Sequence, residues 1–167
     1  MPMESPDHAA PDHDHARCID DALNRAAALC ARRGARLTDL RRRVLELVWQ
    51  RHAAIKAYDI LGELGSAAGS AKPPTVYRAL DFLIAHGLVH RLESLNAYVG
   101  CPEPDASHEG QFLICGSCGG VSEFAAPAIE AAITEQASGL GFAVARQTVE
   151  ARGTCQACRS GSPAGRL

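Results

Sequence analysis

At 167 residues the chain has room for one ordinary domain or two small ones, and no run of 18 apolar residues offers a membrane span. The N-terminus is acidic and polar, unlike a signal peptide, and an odd count of seven cysteines argues for a reducing cytoplasm rather than a secreted disulfide framework. The net charge of −2 hides an asymmetry of −4 over residues 1–15, +5 over 16–100 and −3 over 101–167, so basic charge gathers where a nucleic-acid surface would lie.

Residues 1–15 carry three prolines and no apolar periodicity, which predicts a disordered tail. His8, His13 and His15 within it are either a weak metal group or solvated side chains. From residue 16 to 33, Ile19, Leu23, Ala26, Ala27 and Cys30 recur at helical spacing, and Gly34 suits the position after a helix end. Cys30 falls on the apolar face, so it reads as core. A second helix starts from Thr38 as N-cap with Asp39 in its first turn, and Leu40, Val44, Leu47 and Val48 form its stripe. Arg41, Arg42 and Arg43 spread around its outside, either as a solvated face or as phosphate contacts. A third helix begins near Ala57, carries Tyr58, Ile60, Leu61 and Leu64, and ends in the Gly65–Gly69 stretch.

The next helix opens with Pro73 and Pro74, which cost no internal hydrogen bond at a helix start. Val76, Leu80, Leu83 and Ile84 form one stripe. At about 100° per residue, Arg78 points away from that stripe and Tyr77 sits on its flank. An arginine and a tyrosine thus project from the first turn of a core-anchored helix. That turn also has outward amides and partial positive charge. A recognition helix meets the major groove in this way, with arginine reading guanine through two hydrogen bonds. Phe82 falls off the stripe, and the pattern assigns it no partner. Gly87 ends the helix. Leu88–Leu92 and Ala97–Val99 then alternate as strands around a four-residue turn. Helices followed by a hairpin predict a winged helix-turn-helix over residues 16–101.

Residues 102–110 read as a linker. Beyond it, over 111–159, the pattern predicts two short strands around Cys115-Gly-Ser-Cys118, a helix from Pro127 ended by Gly139 and Gly141, and a strand over 142–151. Cys155-Gln-Ala-Cys158 follows, and 160–167 is a loose end. The fold class is therefore α+β: a winged helix-turn-helix, then a small α/β domain. Two Cys-x-x-Cys pairs can place four thiolates on one tetrahedral zinc at about 2.3 Å. With 36 residues between Cys118 and Cys155, closing the site fastens the whole second domain. The competing readings are a disulfide or a redox pair. A thiol oxidoreductase would need an accessible, low-pKa thiolate and a thioredoxin-like βαβ context, which the sequence lacks.

The order of these elements resembles the ferric uptake regulator superfamily, in particular its zinc uptake regulator branch. The likeness covers about residues 16–159. It is carried by Arg36-Leu37-Thr38, Ala57-Tyr58-Asp59, the run from Lys72 to Leu83, and the run from Val89 to Cys101. The resemblance implies a homodimeric, zinc-dependent repressor on double-stranded operator DNA, cytoplasmic, with no enzymatic activity, no small-molecule substrate and no membrane. It implies that Arg36 enters the minor groove, that Tyr58 and Arg78 contact bases, and that Tyr77 contacts the backbone or a thymine methyl. Lys72 and Thr75 join them as DNA-binding candidates. It also matches Cys115, Cys118, Cys155 and Cys158 to a structural zinc and the second half to a dimerisation domain.

The same resemblance implies a second, regulatory zinc at His90, Cys101, His108 and Glu123, making two Zn²⁺ per chain. Two imidazoles, one thiolate and one carboxylate suit zinc, and the thiolate disfavours manganese. Asp105 and Glu109 flank His108 as alternative donors. One ion bound at this set would tie the DNA-binding half to the dimerisation half. The rival within the family is iron or peroxide sensing, in which a denser histidine cluster precedes the first cysteine pair; here only His108 does.

Overall fold

A computed structural model describes residues 15–51, 53–68, 72–105 and 110–161, with the side chains of 66–68 excepted. These residues fall into two compact units, divided between residues 106 and 107. The tail expected over 1–15 lies outside the described residues apart from His15, and so do His108 and residues 162–167.

The first unit is built on α1 (His15–Arg32), α2 (Asp39–Trp49), α3 (Ala57–Ala68), α4 (Pro73–Ala85), β1 (Val89–Leu92) and β2 (Ala97–Gly100). Helix α1 buries Ala22, Leu23, Ala26, Leu29 and Cys30. Gly34 closes it at φ 63°, letting the Ala35 amide reach back to the Cys30 carbonyl at 2.9 Å. Thr38 caps α2, its side chain accepting from the Arg41 amide. Helix α2 is the hub: it buries Val44, Leu45, Leu47, Val48 and Trp49 and packs on α1, α3, α4 and β2. Helix α3 ends at Ala68, within the expected Gly65–Gly69 stretch.

The wing is antiparallel, with Val89 opposite Gly100 and Leu92 opposite Ala97. Asn96 takes φ 47° in its turn, a conformation that asparagine tolerates. Ile55 pairs with Tyr98 through two backbone bonds of 2.9 and 2.8 Å, tying the hairpin to the α2–α3 connection. Gly100 lies close against the Trp49 indole, and a Cβ there would come within 2.3 Å of it. Gly100→Ala is therefore expected to destabilise this unit by about 1–3 kcal/mol through overpacking. Urea unfolding checks this; an unchanged midpoint would mean the indole moves aside freely.

The second unit holds β3 (Gly110–Cys115), β4 (Val121–Glu123), α5 (Pro127–Gly139), β5 (Thr148–Gly153) and α6 (Gln156–Arg159). Its sheet has the order β4-β3-β5, antiparallel between β3 and β4 and parallel between β3 and β5. Phe112, Ile114, Cys115 and Val121 are buried, while Leu113 faces outward. Buried Gln111 donates to the Ala126 carbonyl at 3.2 Å and to Glu130 at 3.1 Å, anchoring the start of α5, which itself buries no residue. The strand expected over 142–151 differs: among the described residues only 148–153 pairs, with Gly110 of β3 opposite Thr148. Phe142 and Val144, the apolar residues that suggested the longer strand, lie exposed. Among the described residues no helix is long and apolar enough to cross a membrane.

Candidate metal centre and nucleic-acid interface

The parallel pairing of β3 with β5 makes the metal centre. Its register sets Cys115 beside Gly153, so the chain just past β5 delivers Cys155 to the end of β3. The Gly116 amide bonds the Gly153 carbonyl at 2.9 Å and locks that junction. The first cysteine pair closes a tight turn: the Cys115 amide bonds the Gly120 carbonyl at 2.9 Å, and the Gly119 amide bonds the Cys115 carbonyl at 3.0 Å. Gly119 sits at φ 74° in that turn, where a side chain would be strained. Cys158 comes from α6, one turn beyond Cys155.

The sulfurs of Cys115, Cys118, Cys155 and Cys158 all lie within 4.8 Å of one another. The Cys118–Cys155 separation is 3.8 Å. A tetrahedron with zinc–sulfur bonds of about 2.3 Å has edges of about 3.8 Å, so the donors fit zinc. The same separation is far beyond a disulfide bond of about 2.05 Å. The electrostatics agree with a site built for an ion. The Cys155 amide, 3.3 Å from the Cys115 sulfur, leads the amides of Cys118 and Ser117 in lowering the Cys115 thiol to about 5. Cys158 is pushed up to about 12 by its hydrogen bond to Cys155, by burial and by the other thiols. The Gly120 amide pulls Cys118 down, but the neighbouring Cys115 thiol and burial outweigh it. Within the set, Cys115 is drawn toward the thiolate while Cys118 and Cys158 are held back from it by the neighbouring thiols. A divalent cation removes that repulsion, which is what the four-thiolate set requires.

His90 and Cys101 belong to the winged unit. His90 sits on β1 opposite Val99, and Cys101 follows β2, its amide bonded to the Leu88 carbonyl at 3.1 Å. That pairing sets both side chains on one face of the hairpin as diagonal neighbours. Their donor atoms lie within 4.8 Å of each other. Glu123, half-buried at the end of β4, belongs to the other unit.

Every described DNA-binding candidate is on the surface of the winged unit. Tyr58, in the first turn of α3, is 82% exposed, and Tyr77, in the first turn of α4, is 48% exposed. Lys72, Thr75 and Arg78 are exposed around the same start of α4, whose other face buries Val76, Ala79 and Leu80. Arg36 is exposed ahead of α2. Within the arginine run, Arg42 is exposed and Arg43 pairs with Glu46 at 2.8 Å on the half-exposed surface, as a solvated face would have it, whereas Arg41 folds over the Phe82 ring. The only sequence hint of this was Phe82 lying off the apolar stripe.

The profile of the ferric uptake regulator family matches residues 32–152, most of both units. This chain belongs to the ferric uptake regulator family. Within that family, the zinc uptake regulation protein of Escherichia coli strain K12 is 45% identical over 139 residues, covering 83% of this chain and 81% of that protein. The zinc uptake regulation protein of Mycobacterium tuberculosis is 33% identical over 120 residues, covering 70% and 87%. Among solved structures, a zinc uptake regulator complexed with zinc and DNA superposes with a TM-score of 0.82 at 43% identity, covering 86% of this chain and 96% of that one. The holo form of XcZur gives 0.78 at 39% identity, covering 84% and 99%.

Proposed function

We propose that this member of the ferric uptake regulator family is a zinc-responsive transcriptional repressor, not an enzyme. It acts in the cytoplasm as a homodimer and binds the operator DNA of zinc-uptake genes when zinc is plentiful. The observation that carries the reading is the likeness, over most of both chains, to a zinc uptake regulator complexed with zinc and DNA. The domains run 16–101 for DNA binding, 102–110 as hinge and 111–159 for dimerisation. Apolar side chains at Leu113, Leu140, Phe142 and Val144, and a helix α5 that buries nothing, leave the second unit with apolar surface of the kind a second copy covers.

Zinc at Cys115, Cys118, Cys155 and Cys158 is structural. A second zinc is regulatory, held by His90 and Cys101 with Glu123 and His108. Donors drawn from both units give the ion a higher affinity for one arrangement of the reading heads, and a ligand shifts an equilibrium only by such a difference. Arg36, Tyr58, Lys72, Thr75, Tyr77 and Arg78 form the DNA surface.

The test is operator-binding anisotropy against buffered free zinc, with Fe²⁺ and Mn²⁺ as comparisons under reducing conditions. Saturable binding at a far lower free concentration of zinc than of the others supports a zinc sensor. Cys101→Ser is expected to abolish the zinc response while one structural zinc per chain remains. A Cys101→Ser protein that still answers zinc like the wild type would remove Cys101 from the regulatory site.

A further inference from the structure

Arg41 holds together the two segments proposed to read DNA. Its Nη1 donates to the Arg36 carbonyl at 2.6 Å. Its guanidinium carbon stands 3.5 Å from the centroid of the Phe82 ring on α4. Its backbone amide meets the Thr38 hydroxyl at 3.4 Å. One residue thus bonds both ends of the Arg36–Thr38 segment and covers a ring on the recognition helix. The ring is itself held in place. It stacks on His86 with centroids 4.0 Å apart, and His86 Nδ1 lies 2.8 Å from the Phe82 carbonyl. Arg33, just past α1, donates to the His86 carbonyl at 2.9 Å.

We infer that Arg41 is a positioning residue for DNA recognition: it fixes the Arg36 backbone against the recognition helix, so that Arg36 and Arg78 are presented together. It does not serve as a phosphate contact. A planar guanidinium lies over a ring face while donating in its own plane; a lysine ammonium, a compact and strongly hydrated point charge, covers the ring less fully and holds that geometry less well. This geometry accounts for Phe82 lying off the apolar stripe, since its ring serves as a platform for Arg41. The inference rests on the DNA-binding reading above, but its first test does not need DNA.

That test is hydrogen exchange on the free, zinc-loaded protein. The amides of residues 35 and 42, which bond the Cys30 carbonyl at 2.9 Å and the Thr38 carbonyl at 2.8 Å on either side of the clasped segment, are expected to exchange about tenfold faster relative to their intrinsic rates in Arg41→Ala and in Phe82→Leu, because either change opens the clasp. Unchanged exchange there in both variants would overturn the inference. The second test is operator affinity across a salt series. Arg41→Ala is expected to weaken binding about tenfold with an unchanged salt slope, since no phosphate contact is lost. Arg41→Lys should not restore it, and the Arg41→Ala/Phe82→Leu double variant should bind about as Arg41→Ala does. A slope reduced by about 0.9, or full rescue by Arg41→Lys, would make Arg41 a direct phosphate contact and overturn the inference. If the wild type ignored operator DNA altogether, the repressor reading would fail, and the exchange result would still decide the clasp.

Discussion

Cys155→Ser is expected to empty the four-cysteine site and unfold the second unit, leaving the winged unit folded. The buried apolar residues of that unit are few: Phe112, Ile114, Cys115 and Val121, with none from α5 or β5. So small an apolar core does little by itself against the conformational entropy lost on ordering the unit. A structural zinc bound only by the folded unit adds about 10–16 kcal/mol at neutral pH. Serine at position 155 removes one thiolate, and the Cys115 sulfur, which the Cys155 amide holds at 3.3 Å, loses its partner ligand. The measurement is zinc content together with limited proteolysis. Cleavage should concentrate in residues 110–161, whereas the 15–105 region resists. A variant that kept full zinc and resisted protease would show that the sheet stands without the ion.

Arg78→Ala is expected to weaken specific operator binding by about 1–3 kcal/mol, roughly 5–150-fold, which is the usual worth of one arginine reading a guanine. Folding should be untouched. Arg78 is exposed on α4 while its neighbours Val76, Ala79 and Leu80 fill the core. Zinc content should also hold, since Arg78 lies far along the chain from the cysteine cluster. Non-specific DNA binding should fall much less, because it depends on total phosphate contacts and not on one base edge. Anisotropy on operator and scrambled duplexes separates the two effects. Normal operator affinity would take Arg78 off the reading surface.

Much of this protein was legible in one dimension. Helix ends follow from local chemistry, so Gly34, Thr38 and the Pro73-Pro74 pair marked real boundaries within a residue or two. Burial follows helical periodicity, which is why Cys30 was correctly read as core. Strand ends were less legible, because a strand exists only where a partner lies beside it. Phe142 and Val144 have strand-forming side chains, yet among the described residues β5 pairs with β3 only from Thr148 onward.

The sequence by itself determined the local elements and the two cysteine pairs, since both depend on neighbours along the chain. Tertiary structure decided how distant segments meet. The parallel β3–β5 register places Cys155 at the end of β3, and from that follow the 3.8 Å sulfur spacing and the amide that lowers the Cys115 thiol. The hairpin register puts His90 and Cys101 on one face, and helix packing turns Arg41 from the solvent onto Phe82. Residue spacing cannot specify these contacts, because each is a through-space choice among partners that chain order leaves open.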